Sequence, residues 1–236
     1  MVDKGAERVR GMFAQIAPYY DRMNHVLSLN IDKRWRAATV RLMGEAADDS
    51  LLDVCTGTGD LAAAFAAGTA CRRIVGVDFC LPMLEIAVDK QRNRGIDSQR
   101  LVFMEADAEA LPFADGSFDA VTVAFGLRNV ADTMQGLREM LRVCRPGGKV
   151  GVLEFSKPTA PLFKQFYSFY FRSVLPRIGQ TLARNQSEAY AYLPASVGEF
   201  PSGDDFLSLM REAGYRDPRQ HAFTLGIASL YTGEKP

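Results

Sequence analysis

The chain has 236 residues, and its 28 basic and 28 acidic side chains give a formal net charge of zero. This balance argues against a nucleic-acid partner, which normally needs a basic face. The four cysteines form no CxxC pair and no Cys/His cluster, so we expect neither a metal site nor a disulfide framework. Without a secretory signal or an apolar run of about 18 residues, the chain is expected to be cytoplasmic.

Residues 1–47 are predicted to form an N-terminal helical segment. Apolar side chains recur at three- and four-residue spacing over residues 6–24, and Pro18 should interrupt that helix. A second helix is predicted from Asp32 to Met43, with Asp32 as a candidate N-cap.

Strands and helices then alternate along the chain. The predicted strands cover residues 51–54, 73–78, 101–104, 118–125 and 150–155, and the predicted helices cover 61–67, 81–94 and 132–144. This alternation requires a parallel sheet with helices on both faces. A helix that Ser202 should cap precedes two final strands, 219–223 and 227–232, of which the second should run antiparallel. We therefore predict a doubly wound, mostly parallel seven-stranded α/β sheet.

The alternation breaks at residues 158–200, a helical insertion rich in Phe and Tyr. With the N-terminal helices, it would form a lid over an apolar substrate. The alternative is that these aromatic side chains simply pack against the sheet. No repeat or low-complexity linker divides the chain, so residues 1–236 are expected to form one domain.

The first predicted strand ends in a glycine-spaced turn at residues 53–59. Gly57 and Gly59 have no Cβ, so the backbone can lie directly against a ligand. The helix that follows starts with unpaired N–H groups, which attract anionic groups. A strand, a glycine turn and a helix are typical of nucleotide-binding domains, although an ordinary tight turn has the same pattern.

Asp78 ends the second strand, 21 residues after Gly57. A carboxylate at this position can accept hydrogen bonds from the hydroxyl groups of a ribose, although it could also cap the next helix. Phe79 and Met83 offer apolar surface to a purine, and Met83 would equally suit core packing.

Asp107 and Ala108 follow the third strand, where an acid could meet the amino group of adenine. A solvated loop aspartate is the plainer alternative. Residues 124–129 end the fourth strand. Because ligands of open parallel sheets lie beyond the carboxyl ends of the strands, all these segments are expected at one site.

The segment 53–59 with Asp78, Asp107, Ala108 and 111–113 resembles class I S-adenosylmethionine-dependent methyltransferases. Longer segments resemble the ubiquinone/menaquinone biosynthesis C-methyltransferases over nearly the whole chain. They are YDRMN at 20–24 with Ser28 and Trp35, FGLRN at 125–129, RPGG at 145–148, LEFSKP at 153–158, LPRIG at 175–179 and YAYL at 190–193. The resemblance implies a Rossmann-like fold.

The resemblance also implies methylation of a ring carbon of a prenylated quinol, above all demethylmenaquinol. A benzoquinol of ubiquinone biosynthesis and another small lipophilic aromatic are the alternatives. S-adenosylmethionine is the implied cofactor. The residues expected to bind it are Gly57, Thr58, Gly59, Asp78, Phe79, Met83, Asp107, Ala108 and Ala124.

Three positions depart from the family pattern. Asp32 stands where the family often has His, Ala124 where it often has Ser, and Cys144 where an aliphatic residue is usual. Asp32 therefore puts any role of that His in doubt, and Ala124 removes one possible hydroxyl contact to the cofactor.

Arg128 and Asn129 are the candidate catalytic residues. A guanidinium could stabilise the developing phenolate, and an amide could orient the quinol hydroxyl. Alternatively, Asn129 caps a helix and Arg128 pairs with a surface acid. His25 and His221 are more simply explained as structural residues, and a water held by Arg128 and Asn129 is the preferred proton acceptor.

Two other classes share parts of this pattern. A nicotinamide-dependent dehydrogenase would use the glycine turn and Asp78, but would want a fuller GxGxxG motif. A non-catalytic S-adenosylmethionine-binding module could keep the whole site. Transient contact with the inner face of the membrane is expected from a lipid-tailed substrate, and a homodimer is possible on this sequence.

Overall fold

A computed structural model of the chain describes residues 4–157 and 187–236. Its sheet has seven strands, β1 (Ser50–Val54), β2 (Arg73–Asp78), β3 (Leu101–Glu105), β4 (Phe118–Ala124), β5 (Cys144–Phe155), β6 (Arg216–Phe223) and β7 (Ala228–Glu234). The described helices are α1 (Ala6–Ile16), α2 (Tyr20–Leu27), α3 (Ile31–Met43), α4 (Asp60–Gly68), α5 (Leu81–Asn93), α6 (Thr133–Val143), α7 (Ser187–Glu199) and α8 (Asp204–Glu212).

The strand order is β3-β2-β1-β4-β5-β7-β6. The first five strands pair in parallel, and β7 runs antiparallel to both β5 and β6. This confirms the predicted doubly wound, mostly parallel sheet of seven strands. The direction of the strand order reverses between β1 and β4, which is the position where open α/β sheets bind their ligands.

The central strands are buried on both faces. Leu52 and Val121 belong to one apolar layer, whereas their chain neighbours Leu51 and Ala120 belong to the layer on the opposite face. Successive side chains of a strand point to opposite faces, so each central strand supplies both layers. Such burial explains why these strands read as continuous apolar runs.

The N-terminal segment is helical, and the predicted interruption of the first helix at Pro18 is confirmed. Pro18 lies in a short 3-10 turn, Ala17–Tyr19, which separates α1 from α2. Asp32 is not the N-cap of α3, because that helix begins at Ile31 after Asn30, whose φ is +60°. The Asp32 carboxylate instead accepts hydrogen bonds from Ser28 and Arg36.

Two later expectations are also wrong. Gly203, not Ser202, precedes the first turn of α8. The strand predicted at 150–155 starts earlier, because residues 146–148 already lie within β5, which begins at Cys144. There the register shifts between Phe118 and Ala120, and Gly147 has a φ of +73°. A left-handed glycine allows the strand to bulge and then resume pairing with β4.

The predicted lid falls mainly on residues outside those described. Only its C-terminal part is placed, as α7, so closure over a substrate stays a prediction. Within residues 4–157 and 187–236, no helix is long and apolar enough to cross a membrane.

Candidate functional site

A cavity opens beyond the carboxyl ends of β1, β2, β3 and β4, with α1 and the start of α2 on its other side. It brings together residues from the N-terminus and from four segments of the sheet edge. Its walls are formed by Lys4, Ala6, Phe13, Tyr20, Cys55, Gly57, Asp78, Phe79, Met83, Ala106, Asp107, Ala108, Glu109, Ala124, Phe125, Gly126, Asn129, Val130 and Ala131.

Gly57 forms the floor of the cavity with its backbone. Its φ is +55°, and an added Cβ would meet only the Tyr20 ring, at 4.0 Å. Any side chain here would therefore project into open space that a ligand can use, in a backbone conformation that favours glycine. The Gly57 N–H donates to Asp78 Oδ2 at 2.8 Å, which ties the turn to the end of β2.

Asp78 is buried, and each of its carboxylate oxygens accepts a backbone N–H. Oδ2 accepts from Gly57, and Oδ1 accepts from Cys80 at 3.0 Å. Burial raises the pKa of Asp78 to about 6, while these hydrogen bonds oppose the shift. A carboxylate oxygen has two lone pairs, so both oxygens can still accept hydrogen bonds from a ribose.

Thr58 and Gly59 are not among the residues that line the cavity. The Thr58 hydroxyl donates to Asp21 Oδ1 at 2.5 Å. A Cβ on Gly59 would lie 2.7 Å from the Phe103 ring, so this glycine permits α4 to pack on the sheet. In the structure both residues shape and hold the turn. Their contact with the cofactor stays a prediction.

The other predicted cofactor residues, Phe79, Met83, Asp107, Ala108 and Ala124, all line the cavity. Met83 and Ala108 are buried, whereas Asp107 is exposed and accepts a hydrogen bond from the Glu109 N–H at 2.9 Å. Core packing by Met83 therefore coexists with a position at the site. Asp78 does not cap α5, because Cys80 is the N-cap residue of that helix and no side chain accepts a hydrogen bond from its first turn.

Cys55 and Phe125 directly follow β1 and β4, and their backbone lies in the left-handed region, with φ values of +51° and +57°. Non-glycine residues in this conformation concentrate at functional sites. Gly126 makes the close approach of the two strand ends possible, because its Cβ would lie 2.3 Å from that of Cys55. Both residues lie in segments that the sequence places at the site, 53–59 and 124–129, but their left-handed backbone was not predicted.

Arg128 lies behind the cavity wall. Its Nη1 is 3.1 Å from both carboxylate oxygens of Glu154, and it also donates to the Phe125 carbonyl. Both partners are buried, at 5% exposure for Arg128 and 0% for Glu154. The sequence predicts a guanidinium facing the substrate. The structure instead pairs it with a buried acid and leaves it out of the cavity lining.

Asn129, by contrast, lines the cavity. Its Nδ2 donates weakly to the Phe125 carbonyl, at 3.5 Å, and its Oδ1 is buried without a hydrogen-bond partner within the described part of the chain. A buried amide oxygen without a donor is costly, so its presence at a cavity wall points to a donor on the ligand.

Both histidines lie away from the cavity lining. His25 Nδ1 is 3.0 Å from Asp32 Oδ2, and His221 Nε2 is 3.2 Å from the Thr232 hydroxyl between β6 and β7. Although burial opposes it, contacts with Ser28 and Arg36 hold the pKa of Asp32 below its usual value. Asp32 is therefore ionised, and it pairs with Arg36 and contacts His25 within the N-terminal helices.

Solved structures with this fold include methyltransferases. A S-adenosylmethionine-dependent methyltransferase of Thermotoga maritima, described as a possible histamine N-methyltransferase, matches with a TM-score of 0.66 at 18% identity. The match covers 97% of this chain and 100% of that one. At this identity the likeness shows the fold.

Curated relatives match along the full length. A protein of Geobacter sp. (strain M21) named ubiquinone/menaquinone biosynthesis C-methyltransferase UbiE is 49% identical over 234 residues, which are 99% of this chain and 98% of the relative. The demethylmenaquinone methyltransferase of Thermus thermophilus is 45% identical, over 95% of this chain and 100% of its own. The model of the ubiE/COQ5 methyltransferase family matches residues 1–235. This chain therefore belongs to the ubiE/COQ5 methyltransferase family.

Proposed function

We propose that this methyltransferase transfers the methyl group of S-adenosylmethionine to a ring carbon of demethylmenaquinol, giving menaquinol. One observation carries the proposal: the fold gathers Gly57, Asp78 and Asp107 into the same cavity as Asn129. The residues expected to bind the cofactor and the unpaired oxygen of Asn129 thus line the same cavity. The names of the relatives favour a naphthoquinol, and a benzoquinol is the second candidate.

The cavity fits S-adenosylmethionine. The open backbone at Gly57 can accommodate the methionine part, and Asp78 can accept the ribose hydroxyls. Phe79 and Met83 offer apolar surface to the adenine, whose amino group would meet Asp107. The bound cofactor would supply an electrophilic methyl group on a sulfonium centre.

The chain's own task is to hold an electron-rich ring carbon in line with that methyl group. Asn129 Oδ1 would accept a hydrogen bond from the quinol hydroxyl, which fixes the ring in the plane needed for attack. Arg128 and Glu154 would hold the turn Leu127–Asn129 in place behind it. A water would take the proton of the other quinol hydroxyl.

The test uses purified protein, S-adenosylmethionine with a CD3 methyl group, and chemically reduced demethylmenaquinol. We expect a product heavier by one CD3 group with one proton lost, and fragmentation should place the new group on the ring carbon. A benzoquinol without the corresponding methyl group, tested in parallel, should react more slowly. Asp78→Ala serves as the control with impaired cofactor binding.

Two outcomes would contradict the proposal. Methylation on oxygen would show that the ring carbon is not the nucleophile. Cofactor binding without methylation of any quinol would identify a non-catalytic binding module. A faster reaction with the benzoquinol would keep the proposed reaction but assign it to a different substrate.

The proposed location is the cytoplasm, with transient contact at the inner face of the membrane where the isoprenoid tail resides.

A further inference from the structure

The proposed reaction places negative charge on a quinol oxygen, and the charged side chains that line the cavity are mostly acidic. Asp78, Asp107 and Glu109 line it. Arg128, which the sequence favours as the stabilising cation, is already paired with Glu154 through a single nitrogen and does not line the cavity. A buried cation neutralised by its own carboxylate stabilises a second anion poorly.

Lys4 is the one basic side chain among the described residues that line the cavity. It precedes α1, whose first residue, Ala6, also lines it. Lys4 lies near the Arg128–Glu154 pair, because both of these residues act electrostatically on its ammonium group. Its side chain is only partly exposed. The residue before α1 thus brings a cation to the cavity that Asn129 also lines.

We propose that the Lys4 ammonium group pairs with the quinol oxygen as it becomes anionic, and so favours the ionised form that attacks the methyl group. This role rests on the function proposed above. The interaction is stronger with the quinolate than with the neutral quinol, so it lowers the barrier rather than only binding the substrate. Lys4 would touch the reacting oxygen and would therefore be a catalytic residue.

The step balances without a further reagent. The quinol O–H bond breaks and its proton passes to water, while Lys4 stays protonated throughout. The ring carbon then forms a bond to the methyl carbon as the S–C bond breaks, and that electron pair stays on sulfur. Loss of the ring proton restores aromaticity and completes the exchange of a hydrogen for a methyl group.

The groups around Lys4 determine the pKa of its ammonium group and the net charge of the cavity. Burial lowers the pKa of Lys4, Glu199 and Glu154 oppose this shift, and Arg128 adds to it. The other titratable side chains that share the cavity are Tyr20, Cys55, Asp78, Asp107 and Glu109. Burial raises the pKa of both Tyr20 and Cys55, so each is neutral at pH 7 and adds no charge.

The experiment compares Lys4→Met, Lys4→Arg and Lys33→Met with the wild type. Lys33→Met is the matched control, because it removes the same charge from an exposed position on α3. At pH 7 we expect Lys4→Met to lower kcat by about 10²-fold, as loss of a charge-stabilising donor does elsewhere. Lys4→Arg should keep most of the activity, and Lys33→Met all of it.

The pH profile distinguishes this role from a structural one. Activity of Lys4→Met should recover as pH rises, because more quinol is then ionised without help. S-adenosylmethionine affinity should stay within about threefold, which is under 1 kcal/mol. As a readout independent of turnover, absorbance should show a naphthol bound to the wild type ionising at lower pH than the same naphthol bound to Lys4→Met.

The proposal is overturned if Lys4→Met keeps the wild-type rate and pH profile, or if it loses activity only through weaker cofactor binding. It is also overturned if the bound naphthol ionises alike in both proteins. A wild type that methylates no quinol would instead refute the proposed function, so the two failures are separable.

Discussion

At the scale of single residues, the pairing of Arg128 with Glu154 changes what a mutation at Arg128 would report. Removing one partner leaves a charge buried in an apolar wall, next to the Phe155 ring that lies 5.5 Å from the Arg128 guanidinium. We expect Arg128→Ala to lower the free energy of unfolding by about 3–5 kcal/mol. Chemical denaturation followed by circular dichroism measures this loss.

The double variant Arg128→Met/Glu154→Leu separates charge burial from catalysis. It removes both charges together, so most of the lost stability should return. If the stable double variant regains turnover, Arg128 acts by supporting the turn that carries Asn129. If Arg128→Ala is as stable as the wild type, the buried pair does not contribute to the free energy of unfolding in this way.

Asp78 provides a prediction about pH. Its pKa is raised to about 6 in the folded protein, so its contribution to stability is complete below about pH 4 and is lost as pH rises through 6. Cofactor affinity should change in the opposite direction, because only the ionised carboxylate accepts on both oxygens. S-adenosylmethionine binding should therefore weaken as pH falls below about 6.

Calorimetry over pH 5 to 8 checks this expectation. Asp53 could cause the same pH dependence, because burial also raises its pKa to about 6, and the Asp78→Asn variant distinguishes the two groups. Asp78→Asn should abolish the pH dependence if Asp78 causes it, and should weaken binding at pH 7 by about 1.5–3 kcal/mol. A pH dependence that survives in Asp78→Asn would assign the titration to another group.

At the scale of elements, a polar cluster joins α2 to the glycine turn and to α5. Asp21 of α2 accepts hydrogen bonds from Thr58 and from Lys90, the latter at 2.6 Å, and Lys90 is also 2.6 Å from Asp60. These groups are partly buried, so their interactions are screened less than those of exposed ion pairs. The cluster fixes the N-terminal helices against the turn that would hold the cofactor.

Thr58→Val removes the hydroxyl while keeping the shape of the side chain. We expect faster hydrogen exchange in α2 and about tenfold weaker cofactor binding, because the turn loses one of its supports. Thr39→Val is the matched control: its hydroxyl donates to Trp35 within α3 and is not part of the cluster. Unchanged exchange in α2 would mean that Asp21 and Lys90 hold the helix without Thr58.

At the scale of the whole molecule, the sheet places the site. Parallel strands end at the same edge, and the reversal of strand order between β1 and β4 opens a crevice there. Residues more than 70 positions apart in the chain, from Cys55 to Asn129, thereby line one cavity. The N-terminal helices close its other side.

The sequence alone predicted the strands and helices of the sheet and most residues of the candidate site. Strand–helix alternation predicted the sheet, because apolar periodicity reflects which faces are buried. Gly57 and Asp78 could be selected because their roles depend on local geometry, a left-handed turn and a strand end. The family motifs added Asp107, Ala108 and Asn129, whose placement in the cavity the structure then supplied.

Only the tertiary structure decided which charges meet. Glu154 is 26 residues from Arg128, Asp21 is 37 residues from Thr58, and Lys4 joins the cavity from the start of the chain. The periodicity of residues within one segment does not predict such pairs, because pairing between distant segments depends on how the helices pack on the sheet. For this reason Arg128 looked like a free cation in the sequence, whereas the fold pairs it and presents Lys4 at the cavity.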